Sequence, residues 1–493
     1  MPTATYSGTE TMTELPALRV RLEHIGQGHI LRHFERLDPV AQRALFAQAI
    51  ALDTESLPRL VETYVRSKPA FPLPQEIQPA PYFARDGRGG AGWDRGAARA
   101  RGQELLRAGK VAAFVVAGGQ GSRLGYEGPK GCYPAGAVTG KPLFHVFAEA
   151  ILGAMDRYNT IVPWYIMTSP LNHEPTESFF RANSHFGLSP TNIMFFQQGV
   201  LPSFCASTGR ILMSTPGEIA TNPDGHGGSL TALYTSGAIR DMRERGVETI
   251  SYFQVDNPIV NVLDSTFLGL HTDRAASSGE MSSKMVPKIN AAEKVGVFCA
   301  SGSGPRKGRV EVVEYSDLPA ELAAATNNAG TLRYNAGSIA VHALGVGFVE
   351  KLNTDARFEL PYHRADKKIP CIDPESGAPL SPAMNNGVKL ERFVFDALPL
   401  CERSIVLEAD RVEEFAPIKN APGSGADSPE SCSSIQTLRA ARWLEVAGVA
   451  VPKNPDGSPD CVLEISPRTA STADELKSAR LPAAIERGAR LAL

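Results

Sequence analysis

A segment rich in glycine and cations lies at residues 115–131, VVAGGQGSRLGYEGPKG. Backbone N–H groups must converge on a phosphate to bind it, and side chains on such a loop would block their approach. Arg123 offers a planar fork of donors, and Lys130 offers a mobile point charge. An apolar run, VAAFVV, leads into the segment, so we expect a phosphate-binding loop at the end of a buried strand. The first four glycines after this run are Gly118, Gly119, Gly121 and Gly125.

The spacing of these glycines differs from that of two common phosphate-binding motifs. The P-loop pattern G-x-x-x-x-G-K-[ST] is absent, and the dinucleotide pattern G-x-G-x-x-G fails because Leu124 stands at its third glycine position. A plain strand-to-helix turn is the alternative. The combination of G-G-x-G-S-R-L-G with P-K-G directly after it favours a polyphosphate site, and a following helix N-terminus would add partial positive charge.

An acidic residue and further lysines stand near other apolar segments. Asp256 follows the apolar run TISYFQV, where a carboxylate is costly unless it is exposed in a site. Magnesium prefers carboxylate, water and phosphate oxygens, so Asp256 is a candidate ligand, with a turn or cap residue as the alternative. Lys419, in FAPIKN, could bind phosphate or be a solvated surface lysine. For Lys284 and Lys288 we favour exposed positions on a strand edge.

The elements that would position these residues alternate along the chain. Four apolar runs read as buried strands: 111–119, 163–169, 192–199 and 249–255. Residues 229–246 have the pattern of a helix closed by Gly246. Strands separated by helices predict a parallel sheet covered on both faces, which is the α/β class. Segments 308–318 and 332–344 are further expected strands, in a substrate-side subdomain.

The flanking segments differ in character from this centre. Residues up to about 68 read as helical, and Asp38-Pro39 is a good helix start. Residues 68–96 are rich in Pro and Gly and predict a linker. The predicted organisation is a helical segment and linker at 1–100, a nucleotide-binding domain at 101–405 and a small C-terminal domain at 406–493.

Bulk composition excludes several classes of protein. The 493 residues are 43% hydrophobic and 21% charged, with a formal net charge of −3, which gives no global attraction to nucleic acid or anionic membranes. The seven cysteines are scattered without a C-x-x-C pair, which argues against a disulfide framework and a structural zinc site. The start of the sequence lacks the pattern of a signal peptide, and no apolar run reaches the length of a membrane span. We therefore expect a cytoplasmic protein, with homo-oligomerisation left open.

Several separated segments resemble the eukaryotic-type UDP-sugar pyrophosphorylase family, most closely its UDP-N-acetylhexosamine branch. They cover about residues 105–470 and include 117–131, QGVLP at 198–202, VDNPIV at 255–260, YNAGSIA at 334–340 and NNGVKLERFVFD at 385–396. The resemblance implies a Rossmann-like nucleotidyltransferase domain that takes UTP and a sugar 1-phosphate, with Mg²⁺ as cofactor. The expected products are UDP-N-acetylglucosamine and pyrophosphate.

The resemblance also implies roles for individual residues. Asp256 would bind magnesium. For a reaction between two anions, we assign the cations Arg123 and Lys130 to the leaving pyrophosphate and Lys419 to the phosphates on the sugar side. Glu314 and Asn335 would contact sugar hydroxyls. The residues expected near UTP are Val115, Val116, Ala117, Gly118, Gly119, Gly121, Gln198, Gly225 and Lys389.

One position departs from the branch pattern. The chain reads Asp-Gly-His-Gly-Gly at 224–228, where the N-acetylhexosamine branch commonly has Asn in place of His226. The chain is similar to the glucose branch here, which has a sequence like Gly-His-Gly at this place. Because His226 lies between glycines, we expect it to contact sugar or phosphate. Glucose 1-phosphate, or several sugar phosphates, therefore remain alternatives to N-acetylglucosamine 1-phosphate. A non-catalytic UDP-sugar sensor is a further alternative, which predicts loss of the cationic and metal-binding positions.

Overall fold

A computed structural model of the chain describes residues 8–68, 73, 76–87, 92–355 and 358–493. The chain forms two compact units. The smaller unit takes its described residues from Met1–Pro72, Gln198–Ser229 and Glu359–Val394, and the larger from Leu73–Gln197, Leu230–Phe358 and Phe395–Leu493. Each unit thus combines three separate stretches of sequence. The division at residues 100 and 405 stays a prediction.

The helices begin where the sequence supplies caps. The carboxylate of Asp38 accepts hydrogen bonds from the N–H groups of Val40 and Ala41, which confirms the helix start predicted there. Ser428 caps the long C-terminal helix in a capping box with Ser431. The α-helices span Gly8–His24, Pro39–Ile50, Leu57–Leu60, Arg95–Arg107, Leu143–Tyr158, His173–Ala182, Gly228–Thr235, Ala238–Glu244, Ser265–His271, Ala320–Ala324, Val346–Thr354, Arg411–Glu414, Pro429–Val446 and Ala473–Leu476.

The prediction of one continuous helix over residues 229–246 is wrong. Two helices, Gly228–Thr235 and Ala238–Glu244, meet at Gly237, whose φ of 85° lies in the left-handed region. Glycine adopts this conformation without a steric penalty, so the chain can turn at Gly237. The spacing of apolar residues does not reveal this break, because glycine has no side chain to interrupt the pattern.

A sheet of ten strands forms the centre of the larger unit. Its strands are Ile77–Pro79, Val111–Val116, Trp164–Thr168, Ile193–Gln197, Thr249–Gln254, Met281–Pro287, Val297–Ser301, Val310–Val313, Ala336–Gly345 and Val406–Glu408.

Four neighbouring strands of this sheet are parallel, in the order 249–254, 111–116, 164–168 and 193–197. Helix Leu143–Tyr158 packs against them through its aromatic residues: the rings of Phe144 and Trp164 lie 6.3 Å apart, and those of Phe147 and Phe253 lie 5.0 Å apart. The predicted α/β class with a mainly parallel central sheet is confirmed. Because parallel strands end at one edge, the loops after Val116 and Gln254 are brought together.

The other side of the sheet is largely antiparallel. Strand Ala336–Gly345 pairs antiparallel with Thr249–Gln254 and with Met281–Pro287. The segment predicted as a linker supplies a strand here, since Ile77–Pro79 pairs with Val297–Ser301. The linker prediction is wrong for those residues, while its positions 69–72, 74–75 and 88–91 lie outside the described residues.

The smaller unit has its own core. Helix Pro39–Ile50 buries Leu45 and Phe46 in a cluster that also contains Phe34, Phe204 and Val388. A three-stranded sheet of Phe204–Cys205, His363–Lys367 and Gly387–Glu391 forms one wall of this core. The helical N-terminal segment is confirmed over its described residues, and residues 1–7 lie outside them.

The C-terminal part of the larger unit packs around helix Pro429–Val446. Its apolar face, with Trp443 and Leu444, contacts Leu463 of strand Val462–Glu464, which pairs parallel with Arg490–Ala492. Among the helices that the structure describes, none combines the length and apolarity that crossing a membrane requires.

Candidate functional site

The glycine-rich segment lies at the carboxyl end of strand Val111–Val116 and folds back on itself. The N–H of Gly121 donates to the carbonyl of Gly128 at 2.9 Å, and the N–H of Lys130 donates to the carbonyl of Gly119 at 3.1 Å. A Cβ at Gly121 would lie 2.8 Å from the ring of Tyr126, and one at Gly131 would lie 2.1 Å from the ring of Phe144. The tight fold therefore requires glycine at both positions.

The helix expected directly after this segment is absent. Two short 3₁₀ turns, Ser122–Leu124 and Lys130–Cys132, follow the glycines, and the next α-helix begins only at Leu143. Partial charge from a helix N-terminus is therefore not supplied at the loop. The cations of the segment have to provide the positive charge.

Asn172 anchors the loop from the neighbouring strand connection. Its side chain is fully buried, and its amide Nδ2 donates to the carbonyls of Ala117 at 2.9 Å and Gly119 at 3.2 Å. Its Oδ1 accepts from the N–H and the hydroxyl of Ser169. Sequence reasoning missed Asn172, and the only available signal was its position a few residues after the buried strand Trp164–Thr168.

The structure brings Lys130 and Asp256 together at this edge of the sheet. Their Nζ and Oδ2 atoms lie 4.0 Å apart, with 15% and 13% of the side chains exposed. Burial lowers the pKa of Lys130, the charges of Lys419 and Arg123 lower it further, and Asp256 opposes them. Three cations and the carboxylates of Asp256 and Asp427 thus share a local field, while Arg123 itself is exposed.

Lys419 reaches this group from a different part of the larger unit. The N–H of Ile418 donates to the carbonyl of Asp256 at 2.8 Å, which ties the FAPIKN segment to the Asp256 loop. The N–H of Lys419 donates to the carbonyl of Asp427, and its Nζ lies 5.1 Å from the ring centre of Phe415. Lys419 is partly buried, which argues against a freely solvated surface lysine.

The donor set around Asp256 suits a hard cation that keeps water and phosphate ligands. Within the described ranges, no group of three or more His, Cys, Asp or Glu residues could hold a metal ion. A carboxylate beside the glycine-rich segment fits magnesium, which is usually bound by one or two carboxylates plus substrate phosphates. Among the described residues, the site therefore does not offer a full set of protein ligands that would surround a metal ion without substrate.

Glu314 and Asn335, the residues expected at the sugar, lie near one another in the same unit. Val313 and Gly337 both pair with Val297, so Glu314 and Asn335 flank neighbouring positions of the sheet. Strand Ala336–Gly345 runs antiparallel to Thr249–Gln254, and its start therefore lies beyond the carboxyl end of the parallel strands. Both side chains are partly exposed.

Four of the expected binding residues belong to the smaller unit. Gln198 is buried and begins the second stretch of this unit, and Lys389 lies in strand Gly387–Glu391. A Cβ at Gly225 would lie 2.4 Å from the carbonyl oxygen of Arg392, so this turn requires glycine. Sequence reasoning did not single out Arg392, whose guanidinium pairs with the buried carboxylate of Asp224.

His226, the fourth of these residues, is held as a neutral ring. Its Nδ1 accepts a hydrogen bond from the N–H of Val394 at 3.1 Å, and its ring stacks on Phe393 with centroids 5.0 Å apart. His363 stacks on Phe393 at 4.1 Å, within the same unit. Burial lowers the pKa of His226 to about 4, with a smaller contribution from His363. A neutral imidazole can donate to a hydroxyl, but it brings no charge to a phosphate.

Lys284 contradicts the interpretation of an exposed strand edge. Its side chain is 1% exposed, and its Nζ lies 2.7 Å from Asp264 Oδ2 and 2.5 Å from Glu414 Oε1. Lys288 is also buried, and it donates to the carbonyl of Ala291. The alternation of charged and apolar residues misled the sequence reading because both faces of this strand are covered.

The larger unit has the form of a nucleotidyltransferase: an open α/β sheet with a glycine loop, cations and a carboxylate at the carboxyl end of its parallel strands. The family model described as UTP–glucose-1-phosphate uridylyltransferase matches residues 97–423. The chain belongs to this family and is a uridylyltransferase.

Relatives in sequence and structure agree with this family. UDP-N-acetylglucosamine diphosphorylase 2 of Arabidopsis thaliana is 36% identical over 450 residues, which cover 88% of this chain and 85% of the relative. UDP-N-acetylglucosamine pyrophosphorylase of Saccharomyces cerevisiae is 37% identical over 71% of this chain and 73% of its own length. The crystal structure of the uridine diphosphate N-acetylglucosamine pyrophosphorylase from Trypanosoma brucei in complex with an inhibitor superposes with a TM-score of 0.79 at 26% identity. That match covers 97% of this chain and 95% of that structure.

Proposed function

We propose that the chain joins UTP to N-acetylglucosamine 1-phosphate and releases pyrophosphate. The observation that carries the proposal is the grouping of Lys130, Asp256 and Lys419 beside the glycine loop, in a chain whose relatives are named for UDP-N-acetylglucosamine. The non-catalytic sensor is disfavoured because these cationic and acidic positions are present.

The reaction needs charge neutralisation more than acid–base help. A phosphate oxygen of the sugar 1-phosphate attacks the α-phosphorus of UTP, and pyrophosphate leaves from the opposite side. The nucleophile is already ionised, so the barrier is repulsion between anions together with charge on the leaving group. Arg123 and Lys130 would neutralise the pyrophosphate, and Lys419 would hold the phosphate of the sugar. Magnesium bound at Asp256 would screen the phosphates of UTP.

The remaining binding residues divide between the two substrates. The main chain of Val115 to Gly119 and of Gly121 would border UTP, since the Val115 side chain is itself fully buried in the sheet. Gln198, Gly225 and Lys389 are further proposed contacts of UTP, and Glu314 and Asn335 are proposed to contact the sugar hydroxyls.

A comparison of sugar phosphates tests the substrate. Pyrophosphate release is measured in a coupled assay with UTP, magnesium and the 1-phosphates of N-acetylglucosamine, N-acetylgalactosamine, glucose and galactose. We expect kcat/KM to be highest for N-acetylglucosamine 1-phosphate, by at least about tenfold over glucose 1-phosphate. Equal kcat/KM for all four would replace the proposal with a broad-specificity enzyme.

Glucose 1-phosphate stays the second candidate because of His226. Replacing His226 by Asn is expected to change the ratio of kcat/KM between N-acetylglucosamine and glucose 1-phosphates by about tenfold, the scale of one altered polar contact. The pH–rate profile between pH 5 and 9 should keep its shape, because His226, with a pKa of about 4, stays neutral throughout. An unchanged ratio would place His226 away from the sugar, and a shifted profile would show that it titrates.

A further inference from the structure

A buried ammonium group lies beneath the proposed site. Lys284, in strand Met281–Pro287, places its Nζ between the carboxylates of Asp264 and Glu414 and 5.5 Å from the ring centre of Phe267. Burial alone would lower the pKa of Lys284, but the two carboxylates outweigh it and raise the pKa. Lys284 is therefore charged at neutral pH and cannot contact substrate, because its side chain is 1% exposed.

Glu414 links this ammonium to the loop after Asp256. Its Oε2 accepts from the N–H of Asn261 at 3.2 Å, and its main-chain oxygen accepts from the Asn257 amide at 2.6 Å. The side-chain oxygen of Asn257 accepts in turn from the N–H of Ala416 at 3.0 Å. With the bond from Ile418 to Asp256, these contacts hold segment 256–261 against segment 414–418, directly before Lys419.

A role in stability alone explains this arrangement poorly. Removing two or three charges from water costs about as much as their mutual attraction returns, so buried ion groups add little net stability. Their hydrogen bonds do, however, select one arrangement of the groups around them. Here the selected arrangement is that of two loops, one carrying Asp256 and the other Lys419.

We propose that Lys284 is a positioning residue, which fixes Asp256 and Lys419 relative to each other by holding Glu414 and, through Glu414, Asn257. The inference rests on the proposed roles of Asp256 and Lys419 in the uridylyltransferase site. A displacement of about 1 Å at reacting groups is enough to lower turnover a hundredfold, so loosening these loops should slow the chemistry. The binding of UTP by the main chain of the glycine loop should change less, because that loop is held by its own hydrogen bonds and by Asn172.

The test compares Lys284→Met and Asn257→Ala with a stability control, Val349→Ala. Val349 is fully buried in helix Val346–Thr354. The unfolding temperature, kcat, KM for UTP and the half-saturating magnesium concentration are measured for each purified full-length variant. We expect both site variants to lose at least about tenfold in kcat and to need about threefold more magnesium or higher, with KM for UTP changed less than about threefold. Val349→Ala should lower the unfolding temperature and leave the kinetic constants near those of the parent.

Asn257→Ala keeps the buried charges paired, so it carries the test by itself if Lys284→Met does not fold. Variants that lose only thermal stability, with kcat and magnesium response like those of Val349→Ala, would overturn the proposal.

A double-mutant cycle separates this inference from the function on which it depends. If Lys284 acts through Lys419, the loss of kcat from Lys284→Met should be at least about threefold smaller in a Lys419→Ala background than in the parent. If Lys284→Met lowers kcat by the same factor in both backgrounds, the positioning role is contradicted. Full activity of Lys419→Ala and Asp256→Asn would instead refute the proposed site itself. If those two variants lose activity while Lys284→Met keeps the kinetics of the parent, only the proposed role of Lys284 is refuted.

Discussion

Replacing Lys130 by alanine is expected to lower kcat by at least about a hundredfold, the scale seen when a preorganised charge donor to a transition state is removed. The ammonium lies in a largely buried position 4.0 Å from Asp256, where water screens its charge weakly. The effect should fall on kcat more than on KM for UTP, because charge on the departing pyrophosphate develops only as the bond breaks. Steady-state kinetics of pyrophosphate release measure both constants.

A lysine at the opposite end of strand Val111–Val116 from the glycine-rich segment provides the control. Lys110 precedes Val111–Val116 and pairs with Glu248, away from the carboxyl edge, so Lys110→Ala should keep the turnover of the parent. Undiminished turnover of Lys130→Ala would remove this residue from the site.

The pH dependence offers a second measure of the same residue. Burial lowers the pKa of Lys130, and only its protonated form carries the required charge. Activity should therefore be complete below this lowered pKa and decline as the pH rises through it. Lys130→Arg should retain its activity to higher pH than the parent, since a guanidinium stays protonated throughout the accessible range.

The four parallel strands of the sheet could be predicted because each is a largely apolar run ended by a break in composition. Residues 111–116, 164–168 and 249–254 are buried on both faces, and such strands are apolar at nearly every position. The glycine loop could be predicted for a similar reason, since close backbone contacts leave no room for side chains. Local chemistry determined these features, and a local pattern was enough to find them.

Features built from distant contacts could not be predicted in this way. Lys284 and Glu414 are 130 positions apart, and the sequence around either residue does not indicate that it pairs with the other. Charge in a strand indicates exposure on average, so the pairing of Lys284 reversed the expected burial. Asn172 and Arg392 were missed for the same reason: each is identified by its backbone and ion-pair partners, which only the folded chain supplies.

Replacing Asp256 by Asn is expected to raise the half-saturating magnesium concentration by at least about tenfold, since changes even in residues that merely support metal ligands cost ten- to a hundredfold in affinity. The amide is nearly isosteric with the carboxylate, so the hydrogen bond from Ile418 to the main-chain oxygen of residue 256 should persist. We therefore expect the variant to fold like the parent. Titrating turnover with magnesium at fixed UTP measures the effect. Asp273→Asn, which alters a carboxylate paired with Arg101, is the matched control and should leave the magnesium curve unchanged.

The same substitution should also act on Lys130. The Asp256 carboxylate favours the protonated form of this neighbour, so its removal should lower the Lys130 pKa further and move the alkaline loss of activity to lower pH. A metal ligand that was also the partner of Lys130 would show both changes together. A magnesium curve identical to that of the parent would exclude Asp256 as a ligand even if the alkaline limb moved, because that shift requires only the lost negative charge.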